Sequence, residues 1–125
     1  MADTAPLDAL IVGQAPDALI CADRNGVIIR WNIAAEALFG YQEQEALGQS
    51  LDLIIPVHLR AAHWHGFSRA IESGETKHHG QAVLTGAMHR DGTRIYADVA
   101  FSLVKFDTGE VAGAVAIARP KKRDA

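Results

Sequence analysis

The six histidines are the side chains in this 125-residue sequence that are best suited to hold a metal. His58, His63 and His65 fall in a segment that the pattern predicts to be one long helix. His63 and His65 are two residues apart, so they point about 200° apart around the axis and cannot bind one ion together. His58 and His65 share a face but lie roughly 10 Å apart along the axis, too far to chelate one metal. The histidine spacing on this helix therefore does not favour a zinc site. A zinc site with ligands from separate elements stays open, but nothing in the sequence supports it.

His63 differs from the other histidines because apolar positions surround it at helical spacing. Leu59, Gly66 and Phe67 lie three or four residues away, which places this imidazole on the face that packs against the core. Two interpretations are open: a half-buried ring bonded to a backbone carbonyl, or an axial ligand to a flat apolar group such as haem. In the second, Gly66 leaves room for the edge of a macrocycle. Arg69 would pair with a propionate, because a guanidinium binds carboxylates well.

The helix that carries His63 must be held against a sheet. Pro56 begins the predicted helix and Gly74 ends it. Before it, two apolar runs joined by Asn25-Gly26 predict a β-hairpin, since both turn positions tolerate a positive φ. Asn32 is the predicted N-cap of a helix that Gly40 ends. Strands are predicted over residues 17–23, 27–31, 81–89, 94–105 and 111–118. The order predicts an α+β fold, a five-stranded antiparallel sheet with helices on one face.

The ligand pocket is predicted to lie between the long helix and the inward face of this sheet. Alternate residues of the strand over 94–105 share one face, since side chains in a strand alternate between its two sides. Val83, Val99 and Phe101 would then form an apolar wall opposite His63.

Composition limits the functions that this chain can have. At 13.4 kDa it suffices for one domain, and a net charge of −3 gives no electrostatic support for nucleic-acid binding. The single cysteine, Cys21, excludes an internal disulfide and a thiolate zinc cluster. The first residues lack a signal-peptide pattern and no apolar run is long enough to span a bilayer, so we expect a cytoplasmic protein without membrane contact. No catalytic set occurs at usable spacing, so we expect no enzymatic activity.

Short motifs follow one another along the chain in a characteristic order. They are Asp17-Ala18-Leu19-Ile20, Asn25-Gly26, Trp31-Asn32, Ala35-Glu36, Phe39-Gly40-Tyr41, Gly48, Ile55-Pro56 and His89-Arg90-Asp91-Gly92-Thr93. In this order and spacing the chain resembles a PAS domain from about Ala15 to Ala118. The resemblance implies a sensor or interaction module with the five-stranded fold above, but the fold alone does not say what is sensed. It divides the chain into an N-terminal helical cap (1–14), a PAS domain (15–119) and a basic tail (120–125).

A narrower resemblance lies in Ile55-Pro56-Val57-His58-Leu59-Arg60-Ala61-Ala62-His63. This stretch is similar to the haem-bearing PAS subgroup, the FixL-type and direct-oxygen-sensor domains, whose proximal histidine lies on the long helix. The resemblance maps the iron ligand onto His63 and the propionate-contacting arginine onto Arg69. The cofactor that it implies is haem b, iron protoporphyrin IX.

The distal side departs from this subgroup. Val83 stands where these sensors carry an arginine that reaches bound oxygen, and Gln81 where the direct oxygen sensor has a distal methionine. Val99 and Phe101 match the apolar distal wall. Without the arginine, the pocket lacks a charge-assisted hydrogen-bond donor to bound oxygen. A dry pocket of this kind favours carbon monoxide and nitric oxide relative to oxygen. Gln81 would donate a hydrogen bond if its amide points inward, or His78 would enter as a second ligand.

The resemblance thus implies a haem-binding PAS sensor that detects a diatomic gas (O2, CO or NO) or redox state and relays it to a signalling effector. The alternative is a non-haem PAS interaction module, with an empty or differently occupied pocket, that forms a homodimer. The outward sheet face and the helix over residues 7–11 would carry the dimer contact. The small residues of the last strand would permit close approach of a helix or second subunit: Ala112, Ala114, Ala116 and Ala118.

Overall fold

The computed structural model describes residues 5–121 as a five-stranded antiparallel sheet with helices packed on it. The elements are α1 (Leu7–Gln14), β1 (Ala18–Asp23), β2 (Ile28–Trp31), α2 (Ile33–Phe39), α3 (Glu43–Ala46), 3-10 turns over Leu51–Ile54 and Val57–Leu59, α4 (Arg60–Ser73), β3 (Val83–Met88), β4 (Arg94–Lys105) and β5 (Val111–Pro120). The strand order is β2-β1-β5-β4-β3, and every neighbouring pair is antiparallel. The predicted α+β fold is confirmed. Within the described residues no helix is long and apolar enough to cross a bilayer.

The predicted hairpin of β1 and β2 forms, and of its two turn residues Gly26, not Asn25, takes a positive φ. The Asp23 carboxylate accepts hydrogen bonds from the backbone N–H groups of Asn25 (2.9 Å) and Val27 (3.1 Å). Gly26 has a φ of 78°, which favours glycine, and a Cβ at this position would lie 2.2 Å from the Trp64 ring of α4. Glycine is therefore required here for two independent reasons.

Asn32 joins three elements around the start of α2. Its side-chain oxygen accepts hydrogen bonds from the backbone N–H groups of Ala35 (3.0 Å) and Leu19 (2.9 Å). Its amide nitrogen donates to the carbonyls of Val12 and Asp17, each at 3.0 Å. Because Asn32 is only 3% exposed, these four hydrogen bonds satisfy a buried amide while fixing α1 and β1 against α2. The predicted N-cap is confirmed.

The apolar core is concentrated under β1 and β2. Trp31 is 1% exposed, stacks on Phe39 with ring centroids 5.4 Å apart, and donates from its indole nitrogen to the Tyr41 carbonyl at 2.9 Å. Ile20 and Ile28 complete this part of the core. At the opposite end of the sheet β3 is much less covered, and this difference in packing leaves space between α4 and the strands.

The long helix begins later than the sequence predicts. Pro56 opens a 3-10 turn, in which the Leu59 N–H bonds to the Pro56 carbonyl at 2.9 Å, and α4 begins only at Arg60. The Arg60 guanidinium donates to the carbonyls of Ile55 (3.1 Å) and Asp52 (3.2 Å). It therefore satisfies backbone oxygens that precede the helix and holds the turn in place.

Two strand boundaries differ from the prediction by two residues each. β3 begins at Val83, so Gln81 lies in the loop that follows α4. β5 continues past Ala118 to Pro120, because its final residues still pair with β4. Most of the predicted basic tail, residues 122–125, lies outside the described residues.

Candidate functional site

A cavity of about 410 Å³ lies between α4 and the inward faces of β3, β4 and β5. Ligand pockets in proteins commonly measure about 300–1,000 Å³ and are mostly apolar with a few polar groups. The helix contributes Ala62, His63, Gly66, Phe67 and Ala70 to its wall. The sheet contributes Ile20, Ala22, Val83, Thr85, Gly86, Ala87, Ala97, Val99, Phe101, Ala114, Ala116 and Ala118. The cavity therefore suits a ligand whose body is apolar.

Small side chains of β5 create much of this space. Ala114, Ala116 and Ala118 alternate along the strand and all line the cavity. They are therefore not available for the subunit contact that the sequence analysis expected of them. Alternation in a strand gives the period but not which of the two faces is inward, and pairing with β1 and β4 decides that.

His63 lines the cavity, and one of its ring nitrogens is buried. Its Nδ1 is inaccessible to solvent and has no hydrogen-bond partner among the described residues. The predicted alternative, in which the ring is bonded to a backbone carbonyl, is therefore not found at this nitrogen. Burial lowers the pKa of His63, and the negative charge of Asp52 opposes this only in part. A neutral imidazole is the form that binds a metal.

Neighbouring side chains hold His63 in position. The Trp64 ring lies edge-on to the imidazole with centroids 4.8 Å apart, and the Phe67 ring lies 6.1 Å away. Trp64 donates from its indole nitrogen to the Asp52 carboxylate at 2.7 Å, and it covers Gly26 of the first hairpin. α4 is thus fixed on both sides of His63, which limits how the imidazole can turn.

The wall opposite His63 is apolar. Val83 of β3 pairs with Val99 of β4, and the Phe101 ring lies 6.3 Å from the Phe67 ring of α4. Thr85 adds a hydroxyl to this wall, but the hydroxyl donates to the Val83 carbonyl at 2.9 Å. No charged side chain of β3, β4 or β5 lines the cavity. The strands therefore offer a ligand dispersion contacts and little hydrogen bonding.

A family model of the PAS fold matches residues 7–121. The chain belongs to the PAS family. The match begins at Leu7 and therefore includes α1, which lies before the stretch from Ala15 to Ala118 that carries the resemblance. PAS domains are sensory modules, and the arrangement of the sheet, α4 and the enclosed cavity agrees with that role.

Curated relatives include two sensor proteins. The chain is 35% identical over 83 residues to the sensor protein FixL of Bradyrhizobium diazoefficiens, which covers 66% of this chain and 16% of FixL. It is 31% identical over 85 residues to the oxygen sensor protein DosP of Escherichia coli, covering 68% of this chain and 11% of DosP. The chain thus spans less than a fifth of the length of these relatives.

A solved PAS domain from Colwellia psychrerythraea has the same fold. It superimposes with a TM-score of 0.78 at 23% identity, over 91% of this chain and 93% of that one. At this identity the likeness concerns the fold alone.

The structure brings most of the predicted site residues of this PAS domain together. Seven of the nine line the cavity: His63, Gly66, Phe67, Gln81, Val83, Val99 and Phe101. A Cβ at Gly66 would meet nothing within 4 Å, so the space beside His63 is open. Leu59 is half-buried and Arg69 is exposed, and neither lines the cavity. Arg69 lies six residues after His63, about 240° around the axis, so the two side chains leave the helix in different directions.

Sequence reasoning missed two cavity residues in the loop between α4 and β3. Thr76 and Lys77 line the cavity beside His78 and Gln81. The loop carries no periodic pattern, and its path depends on backbone conformations that residue spacing does not reveal. The glycines at its two ends, Gly74 and Gly80, were the available signal.

Proposed function

We propose that this chain is a haem-binding PAS sensor domain that responds to a diatomic gas (O2, CO or NO) or to redox state and relays the change to a signalling effector. The observation that carries this proposal is His63, which lines a 410 Å³ apolar cavity and whose solvent-inaccessible Nδ1 has no hydrogen-bond partner among residues 5–121. No group of three or more His, Cys, Asp and Glu within residues 5–121 is arranged to hold a metal. A single histidine is nevertheless enough for haem iron, which the porphyrin already holds.

The residues present fit haem b. His63 would hold the iron through its imidazole, and the open space beside Gly66 would accept part of the macrocycle. Phe67 of α4 and Phe101 of β4, whose ring centroids lie 6.3 Å apart, would both contact an apolar ring system in the cavity. When bound, haem supplies an iron atom to which a diatomic gas can bind.

The apolar strands would control which gas is favoured. Val83, Val99 and Phe101 form an apolar wall opposite His63 and donate no hydrogen bond. Oxygen would gain more from a hydrogen-bond donor in this wall than the less polar carbon monoxide would, so it would also lose more without one. The chain should therefore discriminate less against carbon monoxide than a sensor with a distal arginine does.

Contacts of α4 supply a route out of the site. A movement of His63 along α4 would shift Trp64, which contacts Gly26 in the β1–β2 turn and bonds to Asp52. The first hairpin pairs with β5, whose Arg119 forms a bidentate ion pair with Asp17 at 3.0 and 3.1 Å. Packed contacts of this kind can pass a small displacement to an effector joined to either end of the domain.

The test compares His63→Ala with His65→Ala after titration with haem. His65 is exposed on the same helix, so its loss controls for changes in helix propensity and charge. We expect the Soret band of the native chain and of His65→Ala to be alike, and that of His63→Ala to shift to the position of free haem. Added imidazole should restore the native band in His63→Gly. Identical spectra for the two alanine variants would refute the assignment.

The second candidate is the non-haem PAS module that forms a homodimer, and the surface of α1 favours it. This helix has no buried residue, and its Leu7 and Ile11 are 70% and 58% exposed. Apolar helix surface exposed to this degree commonly marks an interaction site. Sedimentation of the native chain and of Leu7→Asp/Ile11→Asp tests it. A dimer that the substitutions dissociate, in a chain that gives no His63-dependent Soret band, would support this candidate over haem sensing.

A further inference from the structure

We propose that the loop between α4 and β3, residues 74–82, is a carboxylate-binding subsite at the mouth of the cavity, formed by Lys77 and His78. The cavity would then select ligands that have an apolar body and an anionic end. The inference rests on the proposed function in one respect, that the cavity binds a ligand; it adds the chemical class of that ligand and the residues that recognise its polar end.

Polar groups are separated from apolar ones within the cavity. The polar lining residues are His63 on α4, Thr85 on β3 and, in the loop, Thr76, Lys77, His78 and Gln81. The Thr85 hydroxyl is already bonded to a backbone carbonyl. The loop therefore supplies nearly all of the hydrogen-bonding groups that remain for a ligand. These groups lie together at one end of the cavity.

Lys77 supplies a positive charge at this end and is in no ion pair among the described residues. No Asp or Glu lines the cavity, and none of the ion pairs found among residues 5–121 involves Lys77. Lys77 and His78 are exposed as well as lining the cavity, so they lie at its mouth. An ammonium group in this position attracts an anion without the cost of burying either charge completely.

The backbone of the loop explains how these side chains reach the cavity. Gly74 and Gly80 have φ values of 75° and 81°, and His79 has a φ of 51°. Between them the His79 N–H bonds to the Thr76 carbonyl at 3.3 Å, and the Gln81 N–H bonds to the His78 carbonyl at 3.0 Å. The loop that contains these turns brings Thr76, Lys77, His78 and Gln81 to the cavity wall. Arg69, to which the family resemblance assigned propionate binding, is exposed elsewhere on α4 and does not line the cavity.

The experiment measures the affinity of the full chain for two matched pairs of ligands. Haemin and its dimethyl ester differ only in two carboxylates, and dodecanoate and dodecanol differ mainly in one. The variants are Lys77→Gln/His78→Gln, Arg69→Gln, and Lys105→Gln as a control at an exposed lysine outside the cavity. Binding is followed by the Soret band for haemin and by quenching of tryptophan fluorescence for all four ligands.

We expect the double variant to bind haemin about five- to tenfold more weakly and its ester with unchanged affinity, while Arg69→Gln and Lys105→Gln bind both as the native chain does. Equal losses for haemin and its ester, no loss for either, or a loss confined to Arg69→Gln would overturn the subsite. Should haemin give no His63-dependent band, a Lys77-dependent preference for dodecanoate over dodecanol would still support the subsite without haem. Absence of binding by all four ligands would overturn it.

Discussion

Filling the cavity should stabilise the protein and block its ligand. Ala116 is the residue to change, because it lies in the middle of β5 and lines the cavity between Ile20 of β1 and Phe101 of β4, its two cross-strand partners. Leucine at this position adds three carbon atoms that point into existing space. Most large substitutions in a core cause strain, but here about 410 Å³ is available to receive the side chain.

The magnitude follows from the burial of apolar groups. Each buried methyl or methylene contributes about 0.8 kcal/mol, so three contribute about 2.4 kcal/mol at most. Restricting the leucine side chain costs about 0.5–1 kcal/mol. Ala116→Leu should therefore raise the free energy of unfolding of the haem-free chain by about 1.5 kcal/mol, and it should weaken haem binding at least tenfold because the added atoms occupy ligand space.

Urea unfolding and haem titration of the same preparations measure the two effects. Ala100→Leu is the matched control, since Ala100 lies next to Phe101 on β4 but does not line the cavity. Its affinity for haem should equal that of the native chain. A less stable Ala116→Leu chain that binds haem as the native chain does would refute the reasoning, because it would mean that this space is not the ligand site.

Three further predictions concern elements that position the site. Asn32→Ala removes one hydrogen-bond partner from each of two N–H groups and two carbonyls, so the free energy of unfolding should fall by about 3 kcal/mol in urea. Gly26→Ala should destabilise the fold by at least 1 kcal/mol more than Gly48→Ala, which has a similar positive φ but no neighbour within 4 Å; equal losses would contradict the Trp64 contact. The pKa of His63 is lowered on folding by burial, so stability should decline as pH falls below the ordinary value of 6.5 and the unfolded chain takes up a proton. In chemical unfolding at several pH values His63→Leu should reduce this decline, whereas His65→Leu should leave it unchanged.

Local residue chemistry was enough to predict most of the elements. Asn32 and Gly40 bound α2 because a side-chain amide can satisfy the first N–H groups of a helix and glycine adopts the left-handed conformation that ends it. β4 runs from Arg94 to Lys105 as predicted, since alternation and a turn at each end are properties of the segment itself. The helical spacing around His63 likewise predicted its inward direction.

Local residue chemistry could not predict the surroundings of side chains that contact distant segments of the chain. Arg69 has the spacing from His63 that the resemblance to haem-bearing PAS domains implies, yet packing of α4 leaves it outside the cavity. The alanines of β5 line the cavity only because β1 and β4 pair on either side of that strand. Lys77 reaches the same space because a loop with three positive φ values turns back on itself.

The order of residues along the chain thus determined the PAS fold, its elements and the inward direction of His63, because hydrogen bonding and periodicity act over a few neighbouring positions. Tertiary structure alone decided the volume of the cavity, the unpartnered Nδ1 of His63 and the positive charge at the mouth. These properties depend on which side chains from separate elements come into contact in the folded chain, and residue spacing does not specify those contacts.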